Sequence, residues 1–411
     1  MQLTDLTQLD KNDPLADKRS QFQLPQGTIY LDGNSLGALP AASAKRVTEV
    51  VNQQWGNDLI SSWNKHKWIE LPIQTGDKIA PLIGAAKGQV IVCDSISVNL
   101  FKLLTAALNM QNNRSVVVSE QGNFPTDLYM VQGLESLLGA QRCTLNSVPT
   151  ADIEGALTTD VAVLMLTHVN FKTGRIHDMQ RLTKLAQDKG IMVVWDLAHS
   201  AGALPVELDK CNADFAVGCG YKYLNGGPGS PAFLYAASRH HDDIRQPLSG
   251  WMGHANPFEF DDTYRAATGI RQFLTGTPSV IAMAVLDAAL DVFGDVDMQA
   301  VRHKSIVLTE AFLTLKAQHP ELNDLLMLSP ENPQARGSQL SFTHKDAYGI
   351  CQALIDHGVV PDFRAPNVIR FGFTPMYLRY EDMHLAIEVL TKVMSEKLYL
   401  QQKYQVKGAV T

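Results

Sequence analysis

Between residues 90 and 235 the chain repeats one pattern, a short apolar and β-branched run followed by a segment of helical length. Candidate strands fall at 90–93, 115–119, 141–148, 161–169, 191–195, 215–220 and 232–235, with helical segments such as 98–109 and 178–189 between them. Runs with no polar alternation suit strands covered on both faces, so the pattern predicts an α/β fold in which a seven-stranded, mainly parallel sheet lies between helices. The last strand follows its neighbour through a Gly-rich loop too short for a crossover, which makes it the antiparallel member. After Pro278 the pattern changes. An apolar helix over 279–293, further helices to about residue 318, strands at 338–342 and 368–373 and a helix at 346–357 read as a smaller α+β domain. The expected division is 1–60 as an N-terminal segment packing with the small domain, 61–278 as the large domain and 279–411 as the small one.

Within the sheet region, residues 191–231 read IMVVWDLAHSAGALPVELDKCNADFAVGCGYKYLNGGPGSP. One apolar run delivers Asp196 to its end, with His199 three residues on. The next delivers Tyr221 and Lys222, and Asn225-Gly226-Gly227-Pro228-Gly229 then breaks regular structure. Open α/β sheets bind ligands outside the carboxyl ends of their strands, so an acid and an amine meet there. That pair is what pyridoxal phosphate needs: the amine condenses with the aldehyde, and the acid pairs with the pyridine nitrogen. Taken singly, Asp196 reads as a helix cap and Lys222 as a solvated loop lysine; taken together with the Gly-rich loop, the cofactor reading prevails.

Other stretches fit the same chemistry and carry plainer alternatives. Cys93-Asp94-Ser95-Ile96-Ser97 joins a strand to a helix, where backbone N–H groups suit a phosphate, or where a serine simply caps. Gly122-Asn123-Phe124-Pro125-Thr126-Asp127 offers a ring to stack on a pyridine and an acceptor, or a proline turn and a cap. Gly33-Asn34-Ser35-Leu36-Gly37 implies positive φ or close approach to a ligand, or a plain turn. Trp55, Trp63 and Trp68 are dense enough to form an aromatic substrate wall, although core packing accounts for any one of them. Arg370, in an apolar strand, needs a partner, either an internal acid or a substrate carboxylate. His240-His241-Asp242-Asp243 reads as a solvated loop and no metal site is expected.

Composition narrows the partners. A formal charge of −7 argues against nucleic acid and anionic membranes, and no run approaches the length of a membrane span. Cys93, Cys143, Cys211, Cys219 and Cys351 are scattered, without CxxC or zinc spacing, and the polar, acid-bearing N-terminus is unlike a secretory leader. A reduced, cytoplasmic setting is expected.

These motifs resemble kynureninase, a fold type I, aminotransferase class V-like family. Tyr221-Lys222 before the 225–231 loop, the Gly-Asn-Ser-Leu-Gly segment, Phe124-Pro125-Thr126-Asp127, Asp196-x-x-His199 and Arg370 with Thr374-Pro375 carry the resemblance, which runs over about residues 29–390 and looks bacterial in type. It implies that Lys222 forms the Schiff base with pyridoxal 5'-phosphate, Asp196 pairs with the pyridine nitrogen beside His199, and Phe124 stacks on the ring. Ile96, Ser97, Tyr221, Trp251 and Thr277 would contact the phosphate, the last two from the partner subunit of a homodimer. Thr167 and Asp127 would complete the pocket, Arg370 would hold the substrate α-carboxylate, and Trp63, Asn34 and Gly276 would border the substrate. The implied reaction is hydrolysis of L-kynurenine to anthranilate and L-alanine, in tryptophan catabolism and NAD biosynthesis. L-Kynurenine is favoured over 3-hydroxykynurenine, and Tyr221 would assist proton transfer. A cysteine desulfurase is the nearest rival, but it would place a histidine before the lysine and use a mobile cysteine, whereas Cys351 lies in a helical pattern. A non-catalytic cofactor binder could dispense with Arg370 or the lysine, and a nicotinamide dehydrogenase would show GxGxxG after an early strand.

Overall fold

Seven strands form the central sheet: β1 (Val90–Val92), β2 (Val116–Glu120), β3 (Thr144–Val148), β4 (Val161–Thr167), β5 (Met192–Asp196), β6 (Phe215–Cys219) and β7 (Ala232–Ala236). The structure is a computed structural model describing residues 2–111 and 113–408. The strand order is β1-β7-β6-β5-β4-β2-β3. β7 runs antiparallel to both neighbours, and the pairs β6–β5, β5–β4, β4–β2 and β2–β3 are parallel. Helices α1 (Ile96–Met110), α2 (Pro125–Leu138) and α3 (Met179–Gln187) connect and cover the strands.

β5 shows why such runs are apolar throughout. Val193 and Trp195 belong to the core on one face of the sheet, Met192 and Val194 to the core on the other, and all four are buried. With successive side chains on opposite faces, a strand between two helical layers has no solvent side. Each large apolar side chain contributes roughly 1.5–3 kcal/mol by this burial. The Trp195 indole N–H meets its polar need within the core, donating to Thr183 Oγ1 at 3.0 Å.

After the sheet, α4 (Val280–Ala289) continues as a 3₁₀ turn through Leu290–Phe293, and α5 (Met298–Lys316) follows. A second, antiparallel sheet contains β8 (Leu326–Met327), β9 (Gln339–Thr343), β10 (Asp362–Arg364) and β11 (Val368–Gly372), in the order β8-β9-β11-β10. It carries α6 (Ala347–Asp356) and α7 (Glu381–Ser395). The N-terminal chain returns to this sheet: Ile29–Tyr30 pairs in parallel with Val359–Val360, and Asp32 bridges to Gly372. Ahead of the central sheet the chain is α-helical over Ala41–Glu49 and π-helical over Val50–Trp55. No helix among the described residues is long and apolar enough to cross a membrane.

Candidate active site

Asp196 is the last residue of β5, in register with Thr167 at the end of β4. Its Oδ1 accepts from the Ala198 amide at 2.7 Å, which starts the turn that brings His199 back over the sheet. Beyond β6, the chain reaches Lys222 and folds on itself: the Gly226 amide donates to Gly220 O at 2.8 Å, and Asn225, Gly227 and Gly229 have φ of 58°, 80° and 74°. Left-handed backbone is costly for most side chains, so Asn and Gly at these places are what this turn requires. It puts Lys222 Nζ 2.9 Å from His199 Nε2.

Across the cavity, α1 begins with Ser95, whose Oγ accepts from the Val98 amide at 3.4 Å, leaving Ile96 and Ser97 in the first turn. Fully buried Lys102 reaches back to Asp94 Oδ2 and to Phe273 O, each at 2.5 Å, and fixes the loop before the helix. Free amides and the positive end of the helix dipole would favour an anion there. Phe124 stands at the mouth, 41% exposed, edge-on to Phe171 at 5.3 Å and 5.9 Å from Lys222 Nζ. The cavity so enclosed measures about 230 Å³, and its lining includes Ile96, Ser97, Phe124, Thr167, Asp196, His199, Tyr221 and Lys222. Asp127 lies just beneath, fully buried, with the Thr167 hydroxyl 3.2 Å from its Oδ2.

Electrostatics make this a demanding place. Burial raises the Asp196 carboxyl, with the Lys222 charge opposing, and burial together with the Asp196 charge raises Asp127 well above the ordinary range. Burial, then the Lys222 charge, holds His199 well below its usual value, so its ring is neutral. Burial likewise raises the Tyr221 phenol, so its hydroxyl stays protonated at neutral pH.

Other predicted residues lie elsewhere. Trp251 is 39% exposed and stacks on Phe260, and Gly276 and Thr277 are exposed. Trp63 packs edge-on against Trp68 at 5.7 Å. None of these four lines the cavity of its own chain. Asn34 is fully buried, outside the lining of that cavity, and its Nδ2 donates to Gln339 Oε1 at 3.0 Å. Arg370 meets an internal acid. Asp362, its cross-strand neighbour, accepts from Nε at 2.6 Å and also from Nη2, while Nη1 donates to Phe171 O at 2.6 Å and Nη2 to Ser35 Oγ at 3.0 Å. His240 bonds Asp214 at 2.8 Å and His241 bonds Ala236 O at 2.9 Å, both as local structure.

The two glycines of the 33–37 segment mark close approach to protein rather than to a ligand, and neither has positive φ. A Cβ on Gly33 would meet the Tyr377 hydroxyl at 2.5 Å, and one on Gly37 would meet Asn225 Cα at 2.7 Å. Just before them, half-buried Asp32 lies beside Asp362, and desolvation, then that charge, pushes its carboxyl up to about 7 from an unfolded value near 3.8. The folded state therefore holds a proton that the unfolded state has lost, and stability falls as pH rises from about 4 through 7. Asp32→Asn removes this cost. Urea unfolding is expected to show the variant more stable than wild type at pH 8.5 by ~4 kcal/mol, with the difference vanishing near pH 4. A difference independent of pH would contradict it.

Comparison with known proteins agrees with this geometry. Residues 301–390 match the model of the kynureninase C-terminal domain, and residues 77–208 that of the DegT/DnrJ/EryC1/StrS aminotransferase family. The chain is 46% identical to the kynureninase of Pseudomonas fluorescens, over 99% of both chains. It belongs to the kynureninase family. The kynureninase of Burkholderia pseudomallei is 47% identical over 98% of both chains. Among solved structures, the apo cysteine desulfurase of Thermococcus onnurineus NA1 superposes with a TM-score of 0.76 at 20% identity, covering 92% of this chain and 98% of its own. The cysteine desulfurase CsdA of Escherichia coli gives 0.78 at 18%, covering 93% and 98%. At such identity the shared feature is the fold.

Within that fold this chain departs from the desulfurase reading at the cysteine. Cys351 is fully buried in α6, its Sγ 3.7 Å from Pro361 O, and burial raises its thiol well above the ordinary value. A thiol so placed is no mobile nucleophile. Sequence reasoning missed Phe171, Asp362 and Arg364. The last two had a signal, since Ala365-Pro366-Asn367 is a turn between two short runs, and a hairpin there sets Asp362 opposite Arg370.

Proposed function

We propose that this chain hydrolyses the Cβ–Cγ bond of L-kynurenine to anthranilate and L-alanine, using pyridoxal phosphate carried on Lys222. The near full-length match to bacterial kynureninases carries the reading. The cavity supports the cofactor: two buried polar atoms, His199 Nδ1 and Asp127 Oδ1, make no hydrogen bond with the protein, and the α1 N-terminus offers donors for a phosphate. A protonated pyridine nitrogen would offset the charge that burial makes costly on Asp196.

The residues divide the work. Lys222 would hold the cofactor aldehyde, Asp196 would face the ring nitrogen, Phe124 would cover the ring, and His199, Asp127 and Thr167 would fix its edge. Ile96, Ser97 and Tyr221 would hold the phosphate. When bound, pyridoxal phosphate supplies an electron sink for the charge left on the substrate carbon. Lys222 Nζ would also be the base that takes the substrate's α-proton. The Tyr221 hydroxyl, protonated at neutral pH, is placed to donate. Phe124 and Phe171 limit water at the mouth, although one water must reach the γ-carbonyl for the aroyl group to leave as an acid.

The surface placement of Trp251, Gly276 and Thr277 supports a homodimer in which they complete the cavity of the partner. An apolar groove of about 870 Å³, lined by Leu39, Val47, Trp55, Trp68, Pro228 and Ile281, supports the same assembly. Subunit exchange between Lys222→Ala and Trp251→Ala proteins should yield activity above either parent, because one site of each hybrid then combines two intact halves. No gain would argue that each chain completes its own site. The reaction itself is tested by anthranilate release from L-kynurenine with pyridoxal phosphate supplied, with 3-hydroxykynurenine run in parallel. Absence of anthranilate would overturn it.

A further inference from the structure

Arg370 is nearly saturated. A guanidinium has five N–H groups, and four of them are committed: two to Asp362, one to Ser35 Oγ and one to Phe171 O. A single Nη1 N–H is left. Bidentate recognition of a carboxylate needs two convergent N–H groups, so Arg370 alone provides it only by giving up a bond it already makes, such as that from Nη2 to Ser35 Oγ. The pair with Asp362, itself 1% exposed, is costly to break, so the Nε–H and one Nη2–H stay committed.

A second guanidinium lies alongside. Arg364 is two residues from Asp362 on the same strand, so both side chains fall on one face. Its Nη2 is 2.8 Å from Asp362 Oδ2 and donates to Ser35 Oγ at 3.2 Å, and its Nη1 donates to Phe363 O at 3.0 Å. Among the described residues its Nε and second Nη1 N–H carry no hydrogen bond, and its side chain is 37% exposed where that of Arg370 is 1% exposed. The pair stands at the cavity wall: Arg370 is bonded to the carbonyl of the lining residue Phe171, and the charge of Arg364 acts on the lining residues His199 and Tyr221. Two guanidiniums against Asp362 leave one positive charge in excess, with Asp32 the neighbouring acid, held mostly neutral below pH 7 by its burial.

We propose that Arg364 and Arg370 together bind the substrate α-carboxylate, Arg364 supplying the accessible donors and Asp362 with Ser35 holding the two guanidiniums side by side. The proposal rests on the kynurenine-hydrolysis reading above. Arg370 is then the buried half of the clamp and Arg364 the half that meets the incoming anion.

The test uses the holoenzyme. Arg364→Gln should raise KM for L-kynurenine on the order of 10-fold, with kcat changed less than about threefold, the signature of lost ground-state binding. Arg364→Lys keeps the charge without the planar fork and should raise KM by a smaller factor. Kynuramine, which keeps the aryl ketone and the amine and lacks the carboxylate, should inhibit wild type and both variants equally. The visible absorbance of the bound cofactor should be the same in all three. An unchanged KM in both variants overturns the proposal, as does a rise in the kynuramine inhibition constant parallel to that in KM, which would mark Arg364 as a support of the cavity only. Should Arg364→Gln fail to retain cofactor, Arg364→Lys decides: a KM equal to wild type overturns the proposal, and a raised one with unchanged kynuramine inhibition sustains it. A wild-type protein that binds cofactor yet releases no anthranilate sinks the underlying reading instead, so the two failures are distinct.

Discussion

Lys222→Ala is expected to abolish anthranilate release, lowering kcat on the order of 10³-fold or more, and to remove the borohydride-reducible visible absorbance formed with pyridoxal phosphate. The reasoning is positional. Lys222 Nζ is 2.9 Å from His199 Nε2, in a cavity whose buried carboxylates are Asp196 and, beneath the lining, Asp127. Its charge opposes the upward push of burial on both acids. Removing the amine takes away the covalent anchor, the group that moves the α-proton and the nearby compensating charge together. Added pyridoxal phosphate should still bind the variant weakly, through the α1 N-terminus and the Phe124 face, which a fluorescence titration would detect. A variant that retained anthranilate release would require another amine as anchor. Lys102, the fully buried lysine across the cavity, is already tied to Asp94 and Phe273 O.

The strand ends were legible for a simple reason. A strand buried on both faces must be apolar throughout, so the first polar residue after each run marks its end, and Asp196 and Lys222 stood out against that background. The antiparallel β7 was equally readable, because a loop of a few residues admits no crossover. The carboxylate end was harder. β10 is three residues long and β8 two, too short for alternation to register, and only the pairing of Asp362 with Arg370 explains an arginine in an apolar strand. Asn34, a polar residue between glycines, reads in the sequence as a ligand contact, and in the structure its Nδ2 donates to Gln339 Oε1 on β9. Residues 237–279, largely irregular, include Trp251 and Thr277, whose surface positions no periodicity forecasts.

Gly37→Ala is the second large effect expected, and it comes from a residue outside the lining of the active-site cavity. The Gly37 amide donates to Tyr221 O at 2.8 Å, so the N-terminal segment is pinned to the backbone that carries the lysine. A Cβ there would stand 2.7 Å from Asn225 Cα and nearer still to the Lys222 carbonyl oxygen. Both are main-chain atoms within the tight 220–229 turn, and neither gives way as a flexible side chain would. Asn225, at φ 58°, holds that turn through Nδ2 to Tyr223 O at 2.8 Å. The strain therefore passes to Tyr221 and Lys222. Overpacking of this kind costs about 1–3 kcal/mol of stability. Displacing a catalytic group by ~1 Å costs on the order of 10²-fold in rate. The expected result is a kcat lowered about 10²-fold with cofactor still bound and its absorbance band shifted, together with a lower unfolding midpoint. A Gly33→Ala protein separates the two consequences. Its Cβ would press on the Thr374 and Tyr377 side chains, away from the lysine, so it should lose stability with a smaller loss of kcat. Equal kcat losses in the two variants would mean that the 33–37 segment acts on the lysine only through general destabilisation.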